Sequence, residues 1–254
     1  MLIQRFRVFV AMILREMTTR YGRSAGGYVW AILEPVAFIA MFSVIFSQFT
    51  QDPALGRSFP LFFATGVIPF IFYRDIADAT SGAFAVNKPL FTYPHITILD
   101  AVLARFVLQF LTQIVVAVIV FAGIFIIEDL RPHLNFAATL PAIGLAALLG
   151  LAIGTVNCTL FVFFPTWQQI FALINRPLFI ISGIFFTPEM MPGEIRDVLL
   201  LNPLAHVIGL MRRGVYQTYD ADYVSWAMLI AIPLGILTVG LILLRRHQGN
   251  MLEQ

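Results

Sequence analysis

The chain has 254 residues, of which 59% are hydrophobic and 12% charged, and its mean hydropathy is +0.87. A soluble domain carries roughly 25% charged and about 45–50% apolar residues, so a water-soluble fold is excluded and an integral membrane protein is expected. At roughly 20 residues per spanning helix, this length holds about six spans with short connections and no sizeable extramembrane domain. The net charge of +2 is no nucleic-acid footprint, and the single Cys158 excludes an internal disulfide. His95, His133, His206 and His247 are too scattered for metal-ligand spacing, so no metal is expected.

In chain order, residues 1–27 predict an amphipathic helix lying along the membrane surface. Phe6, Val10, Ile13 and Met17 recur at helical spacing, while Gln4, Arg7 and Arg15 fall on another face. Arg5, Arg7, Arg15 and Glu16 lie among the hydrophobic residues and not ahead of them, so no cleavable signal peptide is expected. Gly22, Gly26 and Gly27 break the helix.

Six apolar segments predict spans at 28–49, 59–73, 102–127, 136–164, 170–186 and 224–244, all in one transmembrane domain. The second is short and interrupted by Gly66 and Pro69, and the fifth carries Arg176-Pro177. Gly150 and Gly154 in the fourth form a helix-packing notch. The connection 187–223 holds two further helical patterns, 192–201 and 204–216, parted by Asn202-Pro203. They predict short re-entrant helices in the outer leaflet.

Positive residues are retained on the cytoplasmic side. With both termini inside, Arg5, Arg7, Arg15, Arg20, Arg23, Lys88, Arg245 and Arg246 fall there, with Arg74, Arg105 and Arg176 near inner span ends. Only Arg57, Arg131, Arg196, Arg212 and Arg213 fall outside, which selects the orientation with both termini cytoplasmic.

Chemistry within the chain is not expected. The only lysine, Lys88, sits in Val86-Asn87-Lys88-Pro89 without a glycine-rich turn, so there is no phosphate-cradling loop and no ATP site. No catalytic motif is present, and no catalytic residue is expected. Polar groups inside spans are the remaining candidates. Glu34, ahead of Pro35, is either a helix-locking residue paired with arginine or part of a path. Arg74 and Arg105 fit interfacial snorkelling as well as substrate contact, and Arg176 beside Asn175 fits a buried pair or an anionic ligand. Gln109 and Gln113 share a face suited to interhelical hydrogen bonds. Trp30 lies at an inner boundary, and Tyr73, with Phe70 and Phe72, is either a packing residue or part of a ring-lined path. Arg212 and Arg213, close to His206, are either a solvated helix face or an exit site for an anionic substrate.

Several stretches, taken together and in order, resemble the type-2 ABC exporter permeases that move polysaccharides, and among them the inner-membrane permease of Gram-negative capsule export. They are Thr19-Arg20-Tyr21-Gly22-Arg23, Gly27-Tyr28-Val29-Trp30-Ala31, Leu33-Glu34-Pro35, Asn87-Lys88-Pro89-Leu90, Ser182-Gly183-Ile184-Phe185-Phe186, and Asn202-Pro203-Leu204 with His206 and Leu210-Met211-Arg212. The resemblance implies a homodimer of six-span subunits joined to two separate ATPase subunits, which hold the ATP and magnesium. Arg20, Tyr21, Asn87, Lys88, Pro89 and Leu90 would then couple to the ATPase. The substrate would be a lipid-linked capsular polysaccharide, passed to a periplasmic co-polymerase and an outer-membrane export protein.

The uncharged Phe164-Pro165-Thr166-Trp167-Gln168-Gln169 departs from relatives that carry charge there, and puts a second ATPase contact in doubt. Export of a lipid or small molecule by the same architecture is the alternative. A membrane enzyme acting on lipid-linked sugars is a weaker rival, with only Asp75, Asp78 and Asp100 as inner-side aspartates.

Overall fold

The computed structural model describes the backbone of residues 2–21, 27–93, 96–130 and 134–253, and among them every regular element is helical. The order is α1 (Leu2–Tyr21), α2 (Gly27–Ser47), α3 (Phe59–Ser81), α4 (Ala83–Asn87), α5 (Ile98–Ile127), α6 (Phe136–Phe163), α7 (Pro165–Ile181), α8 (Gly193–Leu199), α9 (Pro203–Val215) and α10 (Trp226–Glu253). Short 3-10 turns occupy Lys88–Thr92 and Pro188–Met190.

Polar caps set where the apolar runs become helices. Ser58 accepts from the Leu61 amide at 3.2 Å to start α3. Thr97 and Asp100 form a reciprocal capping box at the start of α5. Asn135 and Asn202 accept from the Ala137 and Leu204 amides to begin α6 and α9. Each satisfies an N–H that the first helical turn leaves without a partner, which matters most where water is scarce.

Helix α3 is the centre of the bundle, with Leu61 through Tyr73 buried in succession. It packs chiefly on α6 and α5, and α6 in turn carries α10 and α9. The glycine notch explains the closeness of α3 and α6. A Cβ added at Gly150 would stand 2.6 Å from the Tyr73 carbonyl oxygen, and one at Gly154 would stand 2.7 Å from that of Ala77. Apolar faces remain uncovered at the periphery: Val29, Leu33 and Val44 on α2, and Leu173, Ile174 and Ile180 on α7 are exposed.

Among the described residues, five helices are long and apolar enough to cross a membrane: α2 from Val29, α3, α5, α6 and α10. The α8–α9 pair, bent by 96°, would count as a sixth on length and composition. The segment expected as a fifth span forms α7, which has only 17 residues, opened by Pro165 and followed by a turn at Gly183 with φ +79°. Helix α3 runs on to Ser81, past the expected span end at Tyr73, because Arg74 and Asp75 bond to each other and Asp75 also accepts from Gln113 of α5. Helix α10 likewise continues through Arg245-Arg246-His247 to Glu253.

Prolines interrupt α2 at Pro35, α3 at Pro69, α6 at Pro141, α7 at Pro177 and α10 at Pro233. Helix α5, with 30 residues, contains none.

Candidate functional site

A cleft of about 620 Å³ opens between α2, α3, α6 and α7. Its apolar wall is aromatic, with Phe38, Phe70, Phe161, Phe171 and Phe179, and its polar groups are Glu34, Arg74, Asp78, Gln168, Asn175 and Arg176. The rings lock edge to face: Phe38 and Phe70 lie 5.0 and 4.9 Å from Phe179. Such pairs hold the wall's shape.

The polar groups are tied across helices. Arg74 Nη2 donates to Glu34 Oε1 at 2.8 Å, joining α3 to α2, and its Nε donates to Asp75 Oδ1 at 2.9 Å. Gln113 Nε2 donates to the other Asp75 oxygen and so adds α5 to the chain of bonds. The buried Tyr73 hydroxyl donates to Asn175 Oδ1 at 3.2 Å, bridging α3 and α7. The Glu34–Arg74 pair stays partly accessible, with side-chain exposures of 44% and 31%. Arg176, expected in a buried pair or on a ligand, is exposed at the cleft and has no ion-pair partner among the described residues. An accessible guanidinium beside aromatic rings suits a ligand bearing both sugar rings and anionic groups. Trp30 lies at the start of α2, 66% exposed.

Arg105, read as part of the same path, turns elsewhere. Its Nε lies 3.3 Å from Glu16 Oε2, which ties α5 to α1. Asn87, at the end of α4, has no exposed surface and joins the same group. Its Nδ2 donates to Glu16 Oε1 at 2.7 Å, and its Oδ1 accepts from Arg15 Nη1 at 2.7 Å. Lys88 and Pro89 stand exposed just beyond it, with Leu90 half-buried. The side chains of Arg20 and Tyr21 lie outside the described residues, as do Arg23, Arg131 and His133.

At the opposite end of the bundle, Arg212 is fully buried. Its Nη1 and Nη2 donate to the carbonyls of Phe186 and Ile184 at 2.9 and 3.0 Å, and its guanidinium carbon sits 4.3 Å from the centre of the Phe62 ring. It is therefore a clamp on the turn after α7 and belongs to no solvated face. His206 is also buried, with Nδ1 accepting from the Ser225 amide at 3.2 Å and Nε2 lying 2.8 Å from the Leu200 carbonyl oxygen. Arg213 alone of the three is exposed. Beside this clamp, Tyr219 donates to Glu189 at 2.9 Å, and the Tyr223 hydroxyl lies 3.3 Å from that of Tyr219. Burial raises the Tyr223 phenol to about 12 and also raises those of Tyr216 and Tyr219, the last further through Tyr223 and Glu189.

Sequence reasoning missed Arg15, Glu16 and Asp75 as parts of these networks. The available signal was Glu16 itself, a carboxylate inside an apolar helical stripe. Among the described residues no three of His, Cys, Asp or Glu gather as a metal site.

The molecule is thus an all-helical integral membrane protein whose polar cleft opens on an incompletely covered face of its bundle. Residues 7–216 match the ABC-2 type transporter family, and the chain belongs to that family. It is 32% identical to the polysialic acid transport protein KpsM of Escherichia coli over 95% of this chain and 94% of that one. It is also 24% identical to the capsule polysaccharide export inner-membrane protein CtrC of Neisseria meningitidis over 100% of this chain and 96% of the relative. With the protein BexB of Haemophilus influenzae, likewise described as a capsule polysaccharide export inner-membrane protein, the identity is 25% over 98% and 94%.

Proposed function

We propose that this chain is the membrane-spanning subunit of an ATP-driven exporter that carries lipid-linked capsular polysaccharide across the bacterial inner membrane. The observation that carries the reading is the cleft: an accessible Glu34–Arg74 pair and an exposed Arg176 set among phenylalanine rings. Its setting supports this, because relatives aligned over nearly the whole chain are named for polysaccharide or polysialic acid transport.

In this reading the α4 end faces the cytoplasm with both termini, as the arginine bias requires. A second copy covers the apolar faces of α2 and α7, so that two clefts border one path. Trp30, Glu34, Tyr73, Arg74 and Arg176 line or shape the path, and Arg213 stands near its exit. Arg105, His206 and Arg212 act through the helices they hold. The chain has no ATP site of its own. Two ATPase subunits bind ATP and magnesium and dock at Asn87, Lys88, Pro89 and Leu90, with Arg20 and Tyr21 close by. ATP binding draws the two docking segments together, and the polymer advances past the arginines toward a periplasmic co-polymerase and an outer-membrane export protein.

The test is purification of the tagged chain from native membranes in gentle detergent, with the copurifying proteins identified and export of labelled polymer measured. A stoichiometric ATPase together with polymer export supports the reading. A dimer that recruits no nucleotide-binding protein refutes it. Efflux of dyes without polymer export would transfer the chain to small-molecule transport.

A further inference from the structure

Asn87 is the only point at which the docking segment is buried completely, and it is held there by groups distant in sequence. Its Oδ1 accepts from Arg15, and its Nδ2 donates both to Glu16 and to the Ala83 carbonyl within α4. Glu16 is itself only 2% exposed, and its second oxygen faces Arg105 of α5. One carboxylate therefore binds two partners, on α4 and on α5, that lie far along the chain from it. Gly82, between α3 and α4, leaves the room that Arg105 needs: a Cβ there would stand 3.0 Å from Arg105 Nη1.

Such a group resists separation. Pulling α1 from α4 would break the buried bond between Glu16 and Asn87 and the bond from Arg15, which is more costly than breaking an exposed pair. Met12 is buried and Phe9 and Ile13 are partly buried against the core, while Leu14 and Met17 remain exposed.

We infer that Glu16 is a positioning residue that pins α1 to the α4 segment, so that the two swing as one lever about the start of α5. The inference rests on the proposed function, because the lever would transmit displacement of the ATPase-docking segment to α1. Arg15 and Glu16 make the pin directional: adjacent residues of opposite charge grip the two ends of one amide dipole. The amide at position 87 offers both an acceptor to Arg15 and a donor to Glu16.

Spectroscopic distances in the complete transporter test this without disturbing the pin. Labels are placed at Thr18 and Val86, both exposed, with a third at Asn250 on α10 and the buried Cys158 replaced by alanine. On trapping with a non-hydrolysable ATP analogue, the Thr18–Val86 distance should stay constant while both distances to Asn250 change. The companion variant is Glu16→Gln, which has one acceptor oxygen where Asn87 Nδ2 and Arg105 Nε each present a donor, so the carboxylate that joins α1 to both α4 and α5 is lost. It should lower polymer export about tenfold while ATP hydrolysis stays within about twofold of the parent protein. Thr18 and Val86 moving apart on ATP binding would overturn the inference alone, as would equal loss, or equal retention, of hydrolysis and export in Glu16→Gln. Failure of the unsubstituted chain to bind any ATPase would overturn the transporter reading and the lever with it.

Discussion

Arg212 of α9 reaches back to Phe186, donating from Nη1 to its carbonyl oxygen at 2.9 Å, and so holds the turn after α7 against the far end of the bundle. The Nη2 bond to Ile184 and the Phe62 ring complete a site that a lysine ammonium, with one point of attachment, would fill only in part. Replacing Arg212 by alanine should destabilise the protein by about 3 kcal/mol, because two buried carbonyls lose a charged donor. Arg212→Lys should fall between the two. Thermal melting of the detergent-purified protein measures both.

The Glu34–Arg74 pair predicts an asymmetry. Removing Glu34 leaves Arg74 bound to Asp75, whereas removing Arg74 leaves both carboxylates without their shared cation. Glu34→Gln should therefore shift stability by less than about 1 kcal/mol, since the pair is partly exposed. Arg74→Gln should cost more in stability. Both should reduce polymer export, with Arg176→Gln adding a loss of export at unchanged melting temperature. Parallel melting and transport assays separate the two effects.

The α3–α6 contact predicts opposite outcomes for glycines on one helix. Gly154→Ala drives a methyl into the Ala77 carbonyl and the Thr80 side chain, and overpacking of this kind costs about 1–3 kcal/mol. At Gly144 an added Cβ meets nothing within 4 Å, so Gly144→Ala should be neutral or stabilising by up to about 1 kcal/mol. Yield and melting temperature of the two variants report the difference.

The tyrosines near Arg212 predict an alkaline limit. Their phenols are raised above the ordinary value of 10.0, Tyr223 to about 12, chiefly by burial. A raised value means the folded state disfavours the ionised form. The corresponding stability is complete below pH 10 and is lost as the pH climbs from 10 through about 12. Tyrosinate absorbance should show these groups ionising after the exposed tyrosines, in step with loss of the 216–225 turn. Glu189→Gln should advance the onset for Tyr219 to lower pH.

Much of the architecture was legible because a bilayer imposes one demand on the backbone, and long apolar runs answer it in only one way. Helices overlie every apolar segment, and the spacing of Gly150 and Gly154 pointed to a packing notch, whose partner the structure shows to be α3. The paths of individual charges were less legible. Arg212 and Arg213 are neighbours of identical type, yet one is buried and the other exposed, a difference set by carbonyls at Ile184 and Phe186. All of α2, α3 and α4 lie between Glu16 and Arg105 in the chain, so nothing local marks them as partners. The span expected to end at Tyr73 continues as α3 to Ser81, with Gln113 of α5 supplying a donor to Asp75. Pairing across distant segments decides such cases, and periodicity cannot register it.

The absence of proline from α5 has a mechanical consequence. Every proline within α2, α3, α6, α7 and α10 deletes a backbone bond and makes a weak point at which the helix bends easily. Helix α5, about 45 Å of uninterrupted ladder, has no such joint along its length. It is the mast of the assembly: the other long helices can flex like jointed spars, while the stiffness that keeps the two membrane faces in register runs through this one.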